Sequence, residues 1–447
     1  MLLPIVEVPK TIAEEMEKYR EVFLREKGFE HIKRYVSGLI LSTNKTLTGI
    51  YDVQVWEGEK PTSRAMHEAV FEAPWSSEKL IKKHKEIISE KYKGKGRAVI
   101  SLDWTQAHHE KGKNIYAVTK AYDYVKGRQS LFQTVVTAVI SNRERLDGLD
   151  TVVQQPSKEK EELAYLAQTT QQTYKEMEKV QERMLELMHF HKHKLEYKKR
   201  TEIVLEMVKE LEASKQFPNA NYAFDNGVLT LELTQHIEKS GKHWVSEIES
   251  SRNINWEGSW LRVDEIALSL RSNHKESFRQ VKVLCRNGEE KQFWVFTKAV
   301  RLKKYGKKRL AIVHESESLE DNPRFLLTDA LHWESSRIIE TWSYRWASEV
   351  FHEFSKQVTG LESAQVRKEE AVKRHFRLSC VSQSLVQSVD TLPSKSEKFS
   401  FANGLITFGQ KVRSIARQAF CSLLSLAKNL FAQGRSVDQV LEFLIPA

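Results

Sequence analysis

The chain has 447 residues, of which 40% are apolar, and contains only nine prolines and eighteen glycines. This composition excludes a largely disordered protein, and the length predicts a main domain with at least one appended module. The net charge of +10 favours an acidic partner, with nucleic acid the first candidate, because Lys and Arg stabilise contacts to phosphate. Charge alone does not separate DNA from RNA or from an anionic membrane surface.

The cysteines and the apolar segments restrict the compartment. Cys285, Cys380 and Cys421 lie far apart, without the paired spacing of a zinc site or a disulfide framework. The apolar-rich run at residues 131–141 is shorter than the roughly 18 residues that a membrane-spanning helix needs. We therefore expect a reduced, cytoplasmic protein that has no contact with a membrane.

Residues 1–95 are predicted to form a helical module, with helices near 12–27, 29–41 and 77–92. The third helix and the segment after it are rich in basic residues. These are Lys79, Lys82, Lys83, Lys85, Lys91, Lys93, Lys95 and Arg97. The cluster either lies against phosphates or forms a solvated helix face, and the pattern leaves both interpretations open.

Residues 96–380 are predicted to form the main α/β domain. β-rich runs at 97–103, 114–124 and 130–141 indicate three consecutive strands in hairpin connection. In 157–195, apolar positions recur at spacings of four and three, which predicts a coiled-coil-like helix within a helical segment 157–215. Its partner is either its continuation at 203–211 or a second copy of the chain. A strand at 220–225 follows.

Residues 235–330 form a predicted β-rich insertion. Strands are expected near 243–248, 280–285, 292–297 and 309–313, with a hairpin turn at Asn287-Gly288. Six of the nine residues 301–309 are basic, a density that indicates DNA contact because it is repulsive unless solvated or facing phosphates. The chain from 335 onwards is predicted to be helical, with a break at 392–394 and a C-terminal helical region over 381–447.

Three carboxylates are the candidate catalytic residues. Asp103 and Asp225 each close an apolar strand, which predicts a position at the carboxyl edge of a sheet, where α/β active sites collect. Glu349 follows within a long helical pattern. Each signal is weak alone, because many strand-end carboxylates are surface charges or helix caps. Together they suit Mg²⁺, a hard ion that carboxylates bind, and two such ions can promote in-line displacement at phosphorus.

The segment around Glu349 carries the most specific spacing. Trp342, Arg345, Glu349 and Lys356 are separated by three, four and seven residues, which predicts one face of a single helix. An aromatic ring can stack on an unpaired base, while Arg and Lys can hold phosphates, so all three are candidate DNA-binding residues. The alternative is an amphipathic helix with an Arg345–Glu349 surface pair.

This spacing resembles the YREK signature of bacterial insertion-sequence DDE transposases. The residues flanking the signature, 344–351 and 356–361, are similar to that family, as are the segments 101–105 and 223–227. Residues 64–67 and 73–75 also resemble its N-terminal module. The resemblance covers roughly residues 30 to 380. One departure is Trp342, where the family usually has Tyr, so no role that needs a phenol carries over.

The resemblance implies a ribonuclease-H-like mixed sheet with flanking helices, a β-rich insertion between Asp225 and Glu349, and helical N- and C-terminal regions. It further implies that Asp103, Asp225 and Glu349 bind two Mg²⁺ or Mn²⁺ ions. The implied activity is cleavage at the ends of a mobile element by water, followed by transfer of the 3′ hydroxyl into target DNA. The partners would be double-stranded DNA with terminal inverted repeats and a second copy of the chain, in a nucleoid-associated homodimer.

Alternatives from other classes remain. A transposase-derived DNA-binding protein would recognise DNA without strand transfer, and a nuclease on the same fold would cut without joining. His189 and His193 share a helical face, but a zinc site needs further ligands. His108 and His109 follow Asp103 closely and are expected in a solvated loop.

Overall fold

The computed structural model describes residues 3–56, 58–110, 112–123, 126–169, 177–286, 288–389 and 404–445, together with Phe399 and Ala402. The α-helices, numbered in chain order, are α1 (Lys10–Glu17), α2 (Glu26–Leu41), α3 (Leu47–Asp52), α4 (Ser63–His67), α5 (Ser77–Tyr92), α6 (Glu159–Thr169), α7 (Met177–Glu196), α8 (Arg200–Ser214), α9 (Leu231–Lys239), α10 (Val263–Asn273), α11 (Ser335–Ser343), α12 (Trp346–Gln357), α13 (Glu369–Gln387), α14 (Phe408–Ala432) and α15 (Val437–Leu444). A π-helical turn, Glu68–Glu72, follows α4, and 3-10 turns lie at Arg20–Val22, Lys275–Ser277 and Leu361–Ser363.

The strands form one mixed sheet. They are β1 (Ala98–His109), β2 (Thr119–Asp123), β3 (Arg128–Ser141), β4 (Leu146–Gln154), β5 (Ala220–Phe224), β6 (Trp244–Glu247), β7 (Asn253–Trp256), β8 (Ser259–Arg262), β9 (Arg279–Leu284), β10 (Glu290–Leu302), β11 (Gly306–His314) and β12 (Arg324–Thr328). Their order is β2-β3-β1-β5-β6-β12-β11-β10-β7-β8, with β4 beside β3 and β9 beside β10. β3 pairs antiparallel with β1 and β4, whereas β5 and β6 continue parallel to β1. The predicted mixed sheet with flanking helices is confirmed.

Two helical layers cover the β1–β5 half of the sheet. One face buries Ile100, Leu102 and Phe224 in a core shared with α8 and α9. On the other face α12 contacts β1 and β3, and α13 contacts β4. Strand alternation explains this division, because successive side chains point to opposite faces and both faces here are apolar.

The first predicted helix is wrong in its extent. Instead of one helix over 12–27, α1 ends at Glu17, a 3-10 turn follows, and α2 begins at Glu26. Phe23 is extended, with φ −110° and ψ 126°, and its ring packs against Phe29 and Trp75. Burying that ring turns the chain, so local helix propensity gives way to tertiary packing.

The early strands also differ from their predicted bounds. β1 continues to His109, so Asp103 lies within the strand and not at its end, and His108 and His109 lie in a strand and not in a loop. β1 pairs with β3, whereas β2 forms a hairpin only with the start of β3. The strand β4 was not predicted, because buried polar residues at its centre interrupt the apolar pattern.

Those polar residues of β4 are paired. Asp147 is fully buried and accepts bonds from the Arg145 guanidinium at 2.6 and 2.8 Å. Asp150 lies 3.2 Å from the Lys85 amine and 3.3 Å from Nε of Arg377. Lys85 belongs to α5 and Arg377 belongs to α13. The buried ion network around Asp150 therefore joins the N-terminal helices, the sheet and α13.

The coiled-coil-like segment forms two helices that contact each other. The rings of Tyr165 in α6 and Phe190 in α7 have centroids 5.7 Å apart, and Glu162 pairs with Lys194 at 4.0 Å. The predicted pairing with 203–211 is wrong, because that stretch belongs to α8, whose apolar side lies in the main core. Residues 170–176 of the predicted seam lie outside the described residues, and pairing with a second copy stays a prediction.

The insertion contains more elements than predicted. The four predicted strands are present as β6, β9, β10 and β11, and the chain adds β7, β8, α10 and β12. β9 and β10 pair antiparallel, although Asn287 of the predicted turn lies outside the described residues. The helix α10 buries Val263, Ile266, Ala267 and Leu270, a helical spacing that was present in the sequence.

The N-terminal helices share a hydrophobic core with α13 and α14. Two relays of the same type join them to the rest of the protein. The Tyr19 hydroxyl lies 2.7 Å from His84 Nδ1, and His84 Nε2 lies 2.8 Å from the Gly148 carbonyl. Tyr35, His375 and Gly360 repeat this arrangement, with both distances 2.8 Å. The predicted domain boundaries at 95 and 380 stay predictions, as does the helix break at 392–394, which lies outside the described residues.

None of the helices in the described parts of the chain combines the length and the apolar character needed to cross a membrane.

We expect stability to fall on acidification. Burial lowers the pKa of both His84 and His375 from 6.5 to about 4, so the fold favours their neutral forms. Below pH 6.5 the unfolded chain takes up protons that the folded chain excludes, and stability is lost progressively down to about pH 4. The loss is on the order of 3 kcal/mol per histidine. Thermal unfolding across this range measures it, and His84→Gln with His375→Gln should flatten the dependence. An unchanged slope would contradict the assignment.

A methyl group at Gly148 should destabilise the junction between β4, α12 and α13. A Cβ there would lie 2.5 Å from a ring carbon of Phe351 and 2.6 Å from the Cys380 sulfur. We expect Gly148→Ala to cost about 1–3 kcal/mol by overpacking, measured by denaturant unfolding. The matched control is Gly409→Ala, where no atom lies within 4 Å, and equal stability of the two variants would refute the tight contact.

Candidate active site

The pairing of two parallel strands brings the two aspartates together. The last pair in the β1–β5 register is Leu102 with Phe224, and the next residues are Asp103 and Asp225. Neighbouring strands lie about 4.8 Å apart, so the two carboxylates start from adjacent backbone positions on the same face. Asp225 Oδ1 accepts a bond from the Val228 backbone at 3.2 Å, which fixes the turn after β5.

The helix α12 is held on this face of β1 by buried hydroxyl contacts. The Ser348 hydroxyl donates to the Ser101 hydroxyl at 2.8 Å. His352 Nε2 lies 2.8 Å from the Thr137 hydroxyl, which donates to the Asp103 carbonyl at 3.3 Å. Ser101 and Asp103 share a strand face, and Glu349 directly follows Ser348. Glu349 is therefore carried on the same side of the sheet, near enough for its charge to act on Asp103.

The carboxylates influence each other electrostatically. Burial is the main cause that raises the pKa of Asp103 to about 7, and the charges of Asp225 and Glu349 raise it further. The Trp104 backbone N–H, which donates to Asp103 at 2.7 Å, and the Arg345 guanidinium act in the opposite direction. Burial first, and the neighbouring acids second, thus make the charged form of Asp103 less favourable than that of an exposed aspartate.

The carboxylate of Glu349 is paired with Arg345. The Arg345 guanidinium forms an ion pair with Glu349, one helical turn further along. Among the described residues, no group of three His, Cys, Asp or Glu side chains lies close enough together to hold a metal ion. The donor set still fits a hard divalent cation, because it consists of carboxylate oxygens alone. The zinc hypothesis for His189 and His193 finds no third ligand among the described residues.

The prediction of one continuous helix through this region is wrong. α11 ends at Ser343 and α12 begins at Trp346. Two buried aromatic rings explain the break. Trp342 packs among apolar residues of the insertion, whereas Tyr344 packs against Val99 and Ala223 of the main sheet. The chain turns between the two cores.

The break changes what the aromatic residues present to solvent. Trp342 is only 8% exposed, and the Arg345 guanidinium lies 5.1 Å from its ring centroid. Stacking of Trp342 on a base would require the ring to leave its core position, so this role stays a prediction. Trp346, which the spacing did not single out, is 57% exposed beside Arg345.

Lys356 lies two helical turns, or about 10 Å, from Glu349 along α12. Its amine is 3.6 Å from Glu362, and burial lowers its pKa. Glu362 also contacts His108 Nδ1 at 3.1 Å, while His108 Nε2 lies 2.7 Å from Asp123. Lys356 is therefore part of a second polar cluster further along β1, and its predicted DNA contact is untested.

Some residues of the predicted N-terminal basic cluster form ion pairs within the protein. In the N-terminal cluster, Lys83 pairs with Glu21 at 2.7 Å, and Lys91 pairs with Glu15 at 2.7 Å. Lys85 is buried in the Asp150 network. The members that remain exposed are Lys79, Lys82, Lys93, Lys95 and Arg97. The solvated-face interpretation therefore does not hold for the whole cluster, because Lys85 is buried and Lys91 is half-buried in its pair with Glu15.

Residues 19–258, which are more than half of the chain, match the family model of the DDE superfamily endonucleases. The chain belongs to this family. The match includes Asp103 and Asp225 within the sheet described above, and a ribonuclease-H-like fold is consistent with it. It ends before Glu349, so the YREK signature lies outside it and stays a prediction. The chain matches no curated protein.

Charge substitutions at this candidate site should move the pKa of Asp103 in opposite directions. Asp225→Asn removes a repelling charge, so we expect the pKa of Asp103 to fall below about 7. Arg345→Gln removes an attracting charge, so the pKa should rise. Carbon-detected NMR titration of the Asp103 carboxyl measures both shifts. A pKa that neither substitution moves would show that the three groups do not interact.

Proposed function

We propose that this DDE endonuclease is a DNA transposase, with Asp103, Asp225 and Glu349 as its catalytic carboxylates. The observation that carries the proposal is the adjacency of Asp103 and Asp225 within the matched family domain, and the effect of the Glu349 charge on Asp103 supports a role for the third carboxylate. The proposed reaction is hydrolysis of a phosphodiester at the end of a mobile element. The freed 3′ hydroxyl then attacks a phosphodiester of target DNA, whose own 3′ oxygen leaves.

The three carboxylates would hold two Mg²⁺ or Mn²⁺ ions. When bound, such ions supply Lewis-acid stabilisation of the attacking and leaving oxygens at phosphorus. Asp103 and Asp225 contribute oxygens from a rigid sheet, which limits the reorganisation that binding requires. Glu349 becomes available when its ion pair with Arg345 opens.

Arg345 would exchange one anion for another. The guanidinium released from Glu349 can bind a DNA phosphate in a bidentate manner. Lys356 would hold a second phosphate along α12, and Trp342 an unpaired base, if that ring leaves its packed position. The Arg345–Glu349 pair then serves as a closed state in which neither charge is left uncompensated before DNA binds.

The proposed partners are the terminal inverted repeats and the target duplex, bound by a homodimer. Support for a DNA contact in the N-terminal module, residues 1–95, comes from the exposed part of its basic cluster. The exposed face of α5 and the segment after it carry Lys79, Lys82, Lys93 and Lys95. Lys93 and Lys95 also form exposed pairs with Glu90 at 3.6 Å and with Glu144 at 3.3 Å, and such surface pairs are weak enough to exchange for a phosphate backbone.

A cleavage and joining assay on DNA with the element's own ends tests the proposal. We expect Mg²⁺-dependent cut and joined products from the native chain. Asp103→Asn, Asp225→Asn and Glu349→Gln should each reduce them at least about a hundredfold, because each removes a ligand that contributes several kcal/mol to the transition state. The matched control is Glu353→Gln, an exposed carboxylate one turn from Glu349, which should retain activity.

The products separate the proposed transposase from its alternatives. Cut DNA without joined strands would assign a nuclease. DNA that is bound but uncut in every condition would assign a binding protein and overturn the catalytic proposal. Loss of activity in the Glu353→Gln control would show that α12 charge, and not metal ligation, sets the rate.

A further inference from the structure

A basic pocket lies in the insertion, between the segment after β6 and the turn that joins β10 to β11. Its volume is about 300 Å³. Its polar lining comes mainly from Glu249, Arg252, Asn253, Lys303, Lys304 and Tyr305. Two separate stretches of the chain therefore direct three cationic side chains to one concavity. We refer to it below as the basic pocket.

The cations of the basic pocket are poorly compensated. Arg252 Nε is buried and has no hydrogen-bond partner, and the end of its guanidinium reaches Glu249 only at 3.5 Å. Lys303 and Lys304 are exposed, and no carboxylate of the described residues lies within 4 Å of either amine. One carboxylate thus faces three positive charges. An anionic oxygen in the pocket could bind the exposed end of the Arg252 guanidinium and would reduce the repulsion among the three cations.

Other basic residues of the same run behave differently. Lys308 is buried and pairs with Glu238 at 3.1 Å. Arg309 donates to the Leu331 carbonyl at 2.9 Å and to the Thr297 hydroxyl at 3.1 Å. These two residues stabilise the fold. The basic residues of 301–309 therefore have two roles. Lys308 and Arg309 bind groups within the fold, whereas Lys303 and Lys304 in the turn remain exposed to a ligand.

The topology places one side of the basic pocket near the candidate active site. β6 runs parallel to β5, and the pair Phe224 with Ser246 is the last of their register. Asp225 and Glu247 are consequently neighbours at the carboxyl edge of the sheet. Glu249, at the start of the pocket lining, follows only two residues later. This segment of the pocket lining is therefore close to the candidate active site along the chain.

We propose that the basic pocket binds a backbone phosphate of DNA beside the carboxylate site. The choice of DNA rests on the proposed function, whereas the affinity for a phosphate group rests on the pocket itself. Arg252 supplies the directional contact, and Lys303 and Lys304 supply the charge. Because phosphates carry no sequence information, the pocket positions DNA without selecting its bases.

The test measures binding of a fluorescently labelled DNA duplex to the full chain. Fluorescence anisotropy is the readout, and the titrations are made in EDTA at several salt concentrations. The variant combines Arg252→Gln, Lys303→Gln and Lys304→Gln. The control removes the same charge from exposed residues of the surrounding surface through Lys239→Gln, Lys275→Gln and Arg279→Gln. Equal melting temperatures of the two variants establish that both are folded.

We expect the pocket variant to bind duplex about tenfold more weakly than the control, with a salt slope lower by about 2 to 3. Affinities that match the control would overturn the proposal. Titration with inorganic phosphate distinguishes the source of the ligand. Binding of free phosphate that is lost in the variant, with duplex affinity unchanged, would assign a small-anion site and reject DNA. Because EDTA removes the metal, this result is independent of whether the carboxylates cut DNA.

Discussion

The parallel pairing of β1 with β5 is the constraint on which the candidate site depends. Its last pair, Leu102 with Phe224, is buried, and burial of these side chains against α8 and α9 fixes the register. A slip of one residue would turn the apolar side chains away from the core, so the register is strongly specified. The same register forces Asp103 and Asp225 side by side. Apolar packing thus holds together two acidic groups that repel each other.

The third carboxylate depends on a different set of contacts. Glu349 is carried by α12, which packs on β1 and β3, and glycine at position 148 of β4 leaves the space that Phe351 of α12 fills. Behind it, Asp150 draws α5 and α13 onto β4 through Lys85 and Arg377. A buried network of this kind contributes little net stability, but breaking one member leaves a buried charge unpaired. The main effect of this network is to fix the positions of α5 and α13 on β4.

This division explains what could be predicted from the sequence. Asp103 and Asp225 could be found because each follows residues of an apolar strand, and the mixed sheet follows from such strands. β4 could not be found, because Asp147 and Asp150 look like surface residues until their partners from distant segments are known. Residue spacing also could not show that Trp342 packs inward. That outcome depends on two cores, one in the insertion and one in the main sheet, that meet at Tyr344.

The charges around Asp103 connect folding to chemistry. Desolvation and two neighbouring acids make its ionised form costly, and Arg345 offsets that cost only in part while it is bound to Glu349. A site with three acidic groups and one guanidinium has surplus negative charge, so it favours added positive charge. The basic pocket in the insertion has the opposite imbalance and a preference for phosphate. In a phosphodiester backbone with bound cations, the cations suit the carboxylates and the phosphates suit the basic pocket. The two charge distributions therefore favour the same class of substrate.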